Sequence, residues 1–203
     1  MDQAASYDKP RLRAGEGVAA AVQGLMRVSL KRHPESKATA AEAIEADVER
    51  TASGISLRYT VTGDMNRLAI PEFVDTTRAD ELWRWTCFEI FIRPEGAGHY
   101  FEYNFSPSGR WAAYRFNSRR SGMANVESND PGIGTREGDR RFDLRAELNL
   151  SQLAELAGAW SIGISVIIEQ KDGAKAYWAI QYPAGPADFH HADCFALRLA
   201  PAV

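Results

Sequence analysis

The chain has 203 residues, 45% of them hydrophobic and 25% charged, with a formal net charge of −3. That length suits one domain whose core needs no disulfide staples, with the balance of an ordinary globule. The slight negative charge excludes the basic field that draws a protein to nucleic acid or to anionic lipid, so neither partner is expected.

Residues Met1 to Gly17 are polar and charged. They contain no apolar stretch resembling a signal peptide or a membrane span, so a cytoplasmic location is expected. Met1 to Gly24 lacks periodicity and reads as a loose lead-in. Residues 25–203 read as a single domain. In that domain apolar residues recur with a period of two, the pattern of half-buried strands. The rows are Met26, Val28 and Leu30; Ile44, Ala46 and Val48; Ile55, Leu57, Tyr59 and Val61; and Phe142, Leu144, Ala146 and Leu148. Turn residues separate the rows at Ala52-Ser53-Gly54, Gly63-Asp64, Pro94-Glu95-Gly96, Ser106-Pro107-Ser108-Gly109 and Lys171-Asp172-Gly173. Helical signal is confined to Ser151–Ala157, with Ser151 as N-cap, and to a short turn near Ala79–Trp83. Many short strands and one or two short helices predict an all-β, antiparallel β-sandwich. Asn117 to Gly138 is polar and reads as a long loop.

The most informative stretch runs from Leu82 to Phe116. Thr86–Ile92, His99–Phe105 and Arg110–Phe116 are three aromatic-rich strands joined by short turns, hence a meander. Pairing Phe105 with Arg110 and Ile92 with His99 sets Glu89 directly across from Glu102. It stacks Phe88, Ile90, Phe101, Tyr103, Tyr114 and Phe116 on one face. The other face then collects Glu89, Tyr100, Glu102, Asn104, Trp111 and Arg115, with Arg115 diagonal to Glu102 and offsetting the like-charge repulsion. Paired donors and acceptors beside flat rings suit a polar ligand such as a sugar. The same composition suits a solvated outer face.

Farther on, Trp160, Ile162, Ile164, Val166 and Ile168 form an apolar row. Ser161, Gly163 and Ser165 lie on the other face, where they either open space for a ligand or permit close packing. The segment Tyr182 to Cys194 is a constrained loop leading into a last strand, Phe195–Leu199. Its Asp188, His190, His191 and Asp193 raise a metal hypothesis, but adjacent residues on extended backbone point opposite ways, and a structural loop is favoured. Cys87 and Cys194 sit in no metal-ligand spacing; a disulfide between them is left open. No nucleophile, phosphate-loop or dinucleotide motif is present, and no cofactor is expected. Glu89 and Glu102 are the one candidate acid–base pair, as in sugar hydrolysis.

The runs Leu82-Trp83-Arg84-Trp85-Thr86-Cys87-Phe88-Glu89-Ile90-Phe91 and Tyr103-Asn104-Phe105-Ser106-Pro107-Ser108-Gly109-Arg110-Trp111, with the closing Asp188-Phe189-His190-His191, resemble bacterial DOMON-like proteins. Those are similar to family 9 carbohydrate-binding modules. The resemblance implies a β-sandwich whose relatives bind sugars or haem. It implies that Glu89 and Asn104 lie near the ligand face, with Trp83 or Trp85 as an aromatic platform. Haem-binding relatives use Met and His; Met1, Met26, Met65 and Met123 fall in no recognisable site. The expected function is therefore a non-catalytic ligand-binding domain for a carbohydrate or sugar-containing small molecule. Its expected site is Trp85, Glu89, Glu102, Asn104, Trp111, Arg115, His190 and His191. A haem carrier, a sugar-acting hydrolase and an interaction module are the alternatives.

Overall fold

The structure is a computed structural model that describes residues 24–37 and 39–202. The lead-in expected over Met1 to Gly24 lies outside the described residues except for Gly24. The fold is all-β. The strands are β1 (Met26–Arg32), β2 (Ala41–Thr51), β3 (Gly54–Gly63), β4 (Cys87–Pro94), β5 (Tyr100–Phe105), β6 (Trp111–Phe116), β7 (Ala124–Asn125), β8 (Gly132–Gly138), β9 (Arg141–Asn149), β10 (Trp160–Glu169), β11 (Lys175–Ala179) and β12 (Leu197–Leu199). Every strand pairing is antiparallel.

One sheet runs β7-β6-β5-β4-β10-β11, and the other runs β1-β2-β3-β9-β8. Strand β1 joins them: Met26 to Leu30 pair with β2, and Lys31 and Arg32 continue onto β11. The inner faces close on one apolar core. Phe88 and Ile90 of β4, Phe101, Tyr103 and Phe105 of β5, and Ile162 to Ile168 of β10 meet Ile44, Val48, Leu57, Tyr59 and Phe142 from the second sheet. Phe88 touches Tyr59 and Phe142 with ring centroids 5.2 and 5.9 Å apart. The Tyr59 hydroxyl crosses the core to donate to the Glu89 carbonyl at 2.9 Å, so one buried polar group ties the sheets at the middle of β4.

Among the described residues, helical structure is limited to short 3-10 turns, at Met65–Arg67, Leu82–Arg84, Ala154–Leu156 and Ala192–Cys194. The helix expected over Ser151–Ala157 shrinks to Ala154–Leu156. Ser151 is not its cap; its amide and hydroxyl both turn back to Asn149 Oδ1, at 3.1 and 2.7 Å. That local bond competes with helix initiation. The loop expected over Asn117 to Gly138 holds two strands, β7 and β8. Strand β8 was hidden because Gly132-Ile133-Gly134-Thr135 presents almost no apolar row; it is an exposed edge along β9. Cys87 and Cys194 are free thiols.

The meander forms, with a register that departs from expectation at both turns. Between β4 and β5, Ile92 pairs with Phe101, Ile90 with Tyr103 and Glu89 with Asn104. This is a slip of two residues, which leaves every side chain on its expected face. Between β5 and β6, Phe105 pairs with Trp111, Tyr103 with Ala113 and Phe101 with Arg115. This is a slip of one, which turns all of β6 over. The turn explains it. Ser106 accepts from Gly109 and donates to the Arg110 carbonyl, so Ser106 faces Arg110 and only three residues make the loop. Gly109 closes that loop at φ +91°, the left-handed position three-residue hairpins require.

Candidate ligand-binding cleft

The outer face of the first sheet is not open to water. Its residues form a second cluster: Cys87 and Phe91 from β4, Tyr100 from β5, Ala112, Tyr114 and Phe116 from β6, Ile167 from β10 and Ala179 from β11. Two segments pack over this face. One is the stretch before β4, which brings Leu82 and Trp83; the other is the closing segment, which brings Tyr182, Phe189 and Phe195. The small residues of β10 allow the closing segment to approach. A Cβ on Gly163 would come within 2.9 Å of the Cys194 carbonyl oxygen.

The closing segment is anchored at several points. Asp188 accepts from Arg119 Nε at 2.9 Å and from Arg120 Nε at 3.1 Å. These two guanidiniums hold the Asp188 carboxyl below its ordinary range against the opposing effect of its partial burial. His33 accepts from the Glu35 amide at its Nδ1, which leaves Nε2 to donate to the Gly185 carbonyl at 3.1 Å.

Between these covers lies a cleft of about 750 Å³. Its lining includes Glu89, Phe91, Glu102, Phe116, Ile167 and Tyr177 of the sheet, with Trp83, Arg120, Met123, Phe189 and His190 around them. The floor is polar and deeply buried. Glu89 is 2% exposed, Glu102 4% and Asn104 0%. The two glutamates are diagonal neighbours rather than directly opposed: Glu89 lies across from Asn104, and Glu102 across from Phe91.

Neutral donors hold both carboxyl groups. Ser165 Oγ donates to Glu89 Oε2 at 2.7 Å, and Asn104 Nδ2 donates to Glu102 Oε1 at 2.8 Å. Burial, reinforced by the charge of Glu102, raises the Glu89 carboxyl well above the usual range; its bond from Ser165 opposes the rise. Burial likewise raises Glu102, opposed by Asn104 and by the more distant Arg120. Two carboxylates this close, desolvated and without a cation in contact, favour holding a proton.

His190 stands beside them. Tyr100 Oη takes a bond from the Arg120 amide at 3.2 Å and meets His190 Nδ1 at 2.7 Å. With Tyr100 donating there, the His190 proton sits on Nε2, 3.8 Å from Glu102 Oε2. The ring is wedged among Phe91, Phe116 and Tyr100 at 5.1–5.9 Å. Burial, with Arg120 adding to it, lowers its pKa to about 4, so the imidazole is neutral. Met123 also lines the cleft. With Nδ1 accepting from Tyr100 and the proton on Nε2, the His190 ring offers no free lone pair to an iron.

Of the expected site residues, the fold brings Glu89, Glu102, Asn104 and His190 together. Four lie elsewhere. Trp111 is 3% exposed on the inner face, in the main core. Arg115 points the same way and bonds Glu155 at 3.1 Å and Asn117 at 2.7 Å. Both follow from the one-residue slip of β6, which puts Tyr114 and Phe116 on the cleft side in their place. Trp85 is 61% exposed outside the cleft, near Lys175 at 5.7 Å. Its neighbour Trp83 lines the cleft instead and packs edge-on against Tyr114 at 5.9 Å. His191 caps the last 3-10 turn, accepting from the Asp193 amide at 3.2 Å. Sequence reading named Ser165 only as one of the small residues that open space or permit close packing, and gave no site role to Phe91, Tyr177 or Phe189. The alternation Glu89-Ile90-Phe91 already carried the signal for Phe91.

No protein-family model matches the chain, and no curated protein sequence matches it. Among solved structures, a proposed carbohydrate-binding protein from Bacteroides uniformis superposes with a TM-score of 0.60 at 13% identity, over 88% of this chain and 86% of that one. A family 9 carbohydrate-binding module from Caldicellulosiruptor kristjanssonii, in complex with cellotriose, has a TM-score of 0.45 at 12% identity, over 78% and 75%. The first likeness shows that the two proteins share a fold; the second is too slight to carry weight. Neither supports the DOMON-like resemblance, which rests on the quoted motifs alone. Among the described residues, no helix is long and apolar enough to cross a membrane.

Proposed function

We propose that this chain is a non-catalytic domain that binds a carbohydrate or sugar-containing small molecule in the cleft between the closing segment and the first sheet. The observation that carries the reading is the cleft floor. Acceptor oxygens of Glu89 and Glu102 are buried in a space walled by Trp83, Phe91, Phe116, Tyr177 and Phe189. Sugars present hydroxyl donors along their edges and C–H surface on their faces, and this site offers a counterpart to each. The shared fold with a proposed carbohydrate-binding protein is consistent with it.

The test is a titration with mono- and disaccharides followed by tryptophan fluorescence and calorimetry, on the wild type and on Trp83→Ala. Saturable binding that Trp83→Ala weakens at least tenfold is expected. If no sugar in a broad panel binds, or if the Trp83 variant binds as tightly as wild type, the reading is wrong.

A sugar-acting hydrolase is a second reading, favoured by two carboxyl groups of raised proton affinity in one cleft. Release of nitrophenol from aryl glycosides, abolished by Glu89→Gln and by Glu102→Gln, would establish it in place of simple binding.

A further inference from the structure

Neither floor carboxylate has a cation of its own. Glu89 takes its side-chain bond from Ser165, and Glu102 takes its bond from Asn104, both neutral donors. Both glutamate side chains line the cleft although they are 2% and 4% exposed, and beside them Asn104 Oδ1, on a side chain 0% exposed, has no hydrogen-bond partner among the described residues. The nearest guanidinium, Arg120, is committed to Asp188, with both Nε and Nη2 on Oδ1. The imidazole of His190 is neutral and 3.8 Å away. Around the carboxylates stand the rings of Trp83, Phe91, Phe116, Tyr177 and Phe189, whose faces attract positive charge. An acidic floor with an unpartnered amide oxygen under an aromatic wall is the complement of an organic cation that also carries hydroxyl groups.

Building on the proposed carbohydrate site, we infer that the ligand of this cleft is an amino sugar whose ammonium group is seated between Glu89 and Glu102. A neutral sugar would use the same oxygens while one of them keeps its proton; an ammonium would displace that proton to solvent. The remaining titratable neighbours do not supply the missing charge. Cys87 on β4, Tyr100 on β5, Tyr59 from the second sheet and Tyr182 on the closing segment are all held neutral by burial. Glu35 adds a further acid at the lining, and His33 is occupied by Gly185 and Glu35.

The experiment compares glucosamine, N-acetylglucosamine and glucose by calorimetry at neutral pH, in two buffers of different ionisation enthalpy, with the full chain and with Glu89→Gln and Glu102→Gln. Circular dichroism confirms that each variant is folded. The expected result is glucosamine binding at least tenfold tighter than either neutral sugar, with proton release, and with that preference lost in both variants. Equal binding of all three sugars overturns the ammonium seat and leaves the carbohydrate cleft standing. A glucosamine preference that survives both substitutions also overturns the seat. No binding by any of the three overturns this inference, and an empty result across the wider neutral-sugar panel overturns the carbohydrate reading as well.

Discussion

Strands β4 and β5 present two faces made from alternating residues of the same few positions, and the faces behave oppositely. The inner face, with Phe88, Ile90, Phe101, Tyr103 and Phe105, packs against the second sheet as a dry apolar layer. The outer face, with Glu89, Phe91, Tyr100, Glu102 and Asn104, is almost as thoroughly buried, yet it holds two carboxyl groups and an amide. Burial of apolar surface stabilises the first face at about 25 cal/mol per Å². The second face desolvates charge, which opposes folding unless a proton or a partner compensates. Such polar burial, where a wholly apolar layer would be more stable, is what the proposed site requires of this face.

The largest effect should come from damaging the inner face. Phe88→Ala leaves a cavity between Tyr59 and Phe142 and should lower stability by about 3–5 kcal/mol in denaturant unfolding. A loss under about 1 kcal/mol would mean the sheets are not packed as described. Next, Gly163→Ala drives a Cβ against the Cys194 carbonyl. It should cost about 1–3 kcal/mol, and it should also displace the closing segment and weaken any sugar bound beneath it. If stability falls while affinity is unchanged, the closing segment is no wall of the cleft.

Glu89→Gln separates the faces by pH. A carboxyl whose folded pKa is raised above its unfolded value contributes stability that is fully present below the unfolded value and is lost as pH rises through the folded one. Wild-type stability should therefore fall as pH climbs from the ordinary carboxylate range through neutrality. Glu89→Gln should flatten that fall, with a gain of roughly 1–2 kcal/mol on the alkaline side. His190 works at the other end. Its folded pKa is depressed from 6.5 to about 4, so its contribution is present above 6.5 and is lost as pH falls through about 4. Thermal melts between pH 3.5 and 9 test both limbs; a Glu89→Gln profile parallel to wild type contradicts the account of the floor.

The smallest effect is expected at Arg115. Its pair with Glu155 lies near the surface, where such pairs are worth about 0–1 kcal/mol. Arg115→Ala should change stability by less than about 1 kcal/mol and sugar binding not at all. Weakened binding in Arg115→Ala would restore the register in which this residue joins Glu89.

That register marks the limit of what the sequence makes legible. The alternation of Ile55 to Val61 or Phe142 to Leu148 leaves one choice of inward face, and those strands form where their patterns place them. The same holds for Glu89, Glu102 and Asn104, because a two-residue slip between β4 and β5 preserves the faces. On β6 both faces carry aromatic rings and an alanine: Trp111, Ala113 and Arg115 alternate with Ala112, Tyr114 and Phe116. Pattern alone could not choose between them. The choice was made by the conformation of Gly109, which shortens the turn by one residue and exchanges Trp111 for Tyr114. The cleft's walls were less legible still. Trp83 and His190 come from irregular segments whose positions depend on the Asp188 clamp and on the small residue at Gly163.

The five tryptophans allow a direct test of which face holds the ligand. Trp83 lines the cleft, Trp85 is exposed outside it, and Trp111, Trp160 and Trp178 are buried in the main core. Assigned indole N–H resonances, followed while glucosamine or cellobiose is added, report on all five at once. The account predicts that the Trp83 signal moves saturably while those of Trp85 and Trp111 stay in place. Movement of Trp85 or Trp111 with Trp83 unchanged would contradict it.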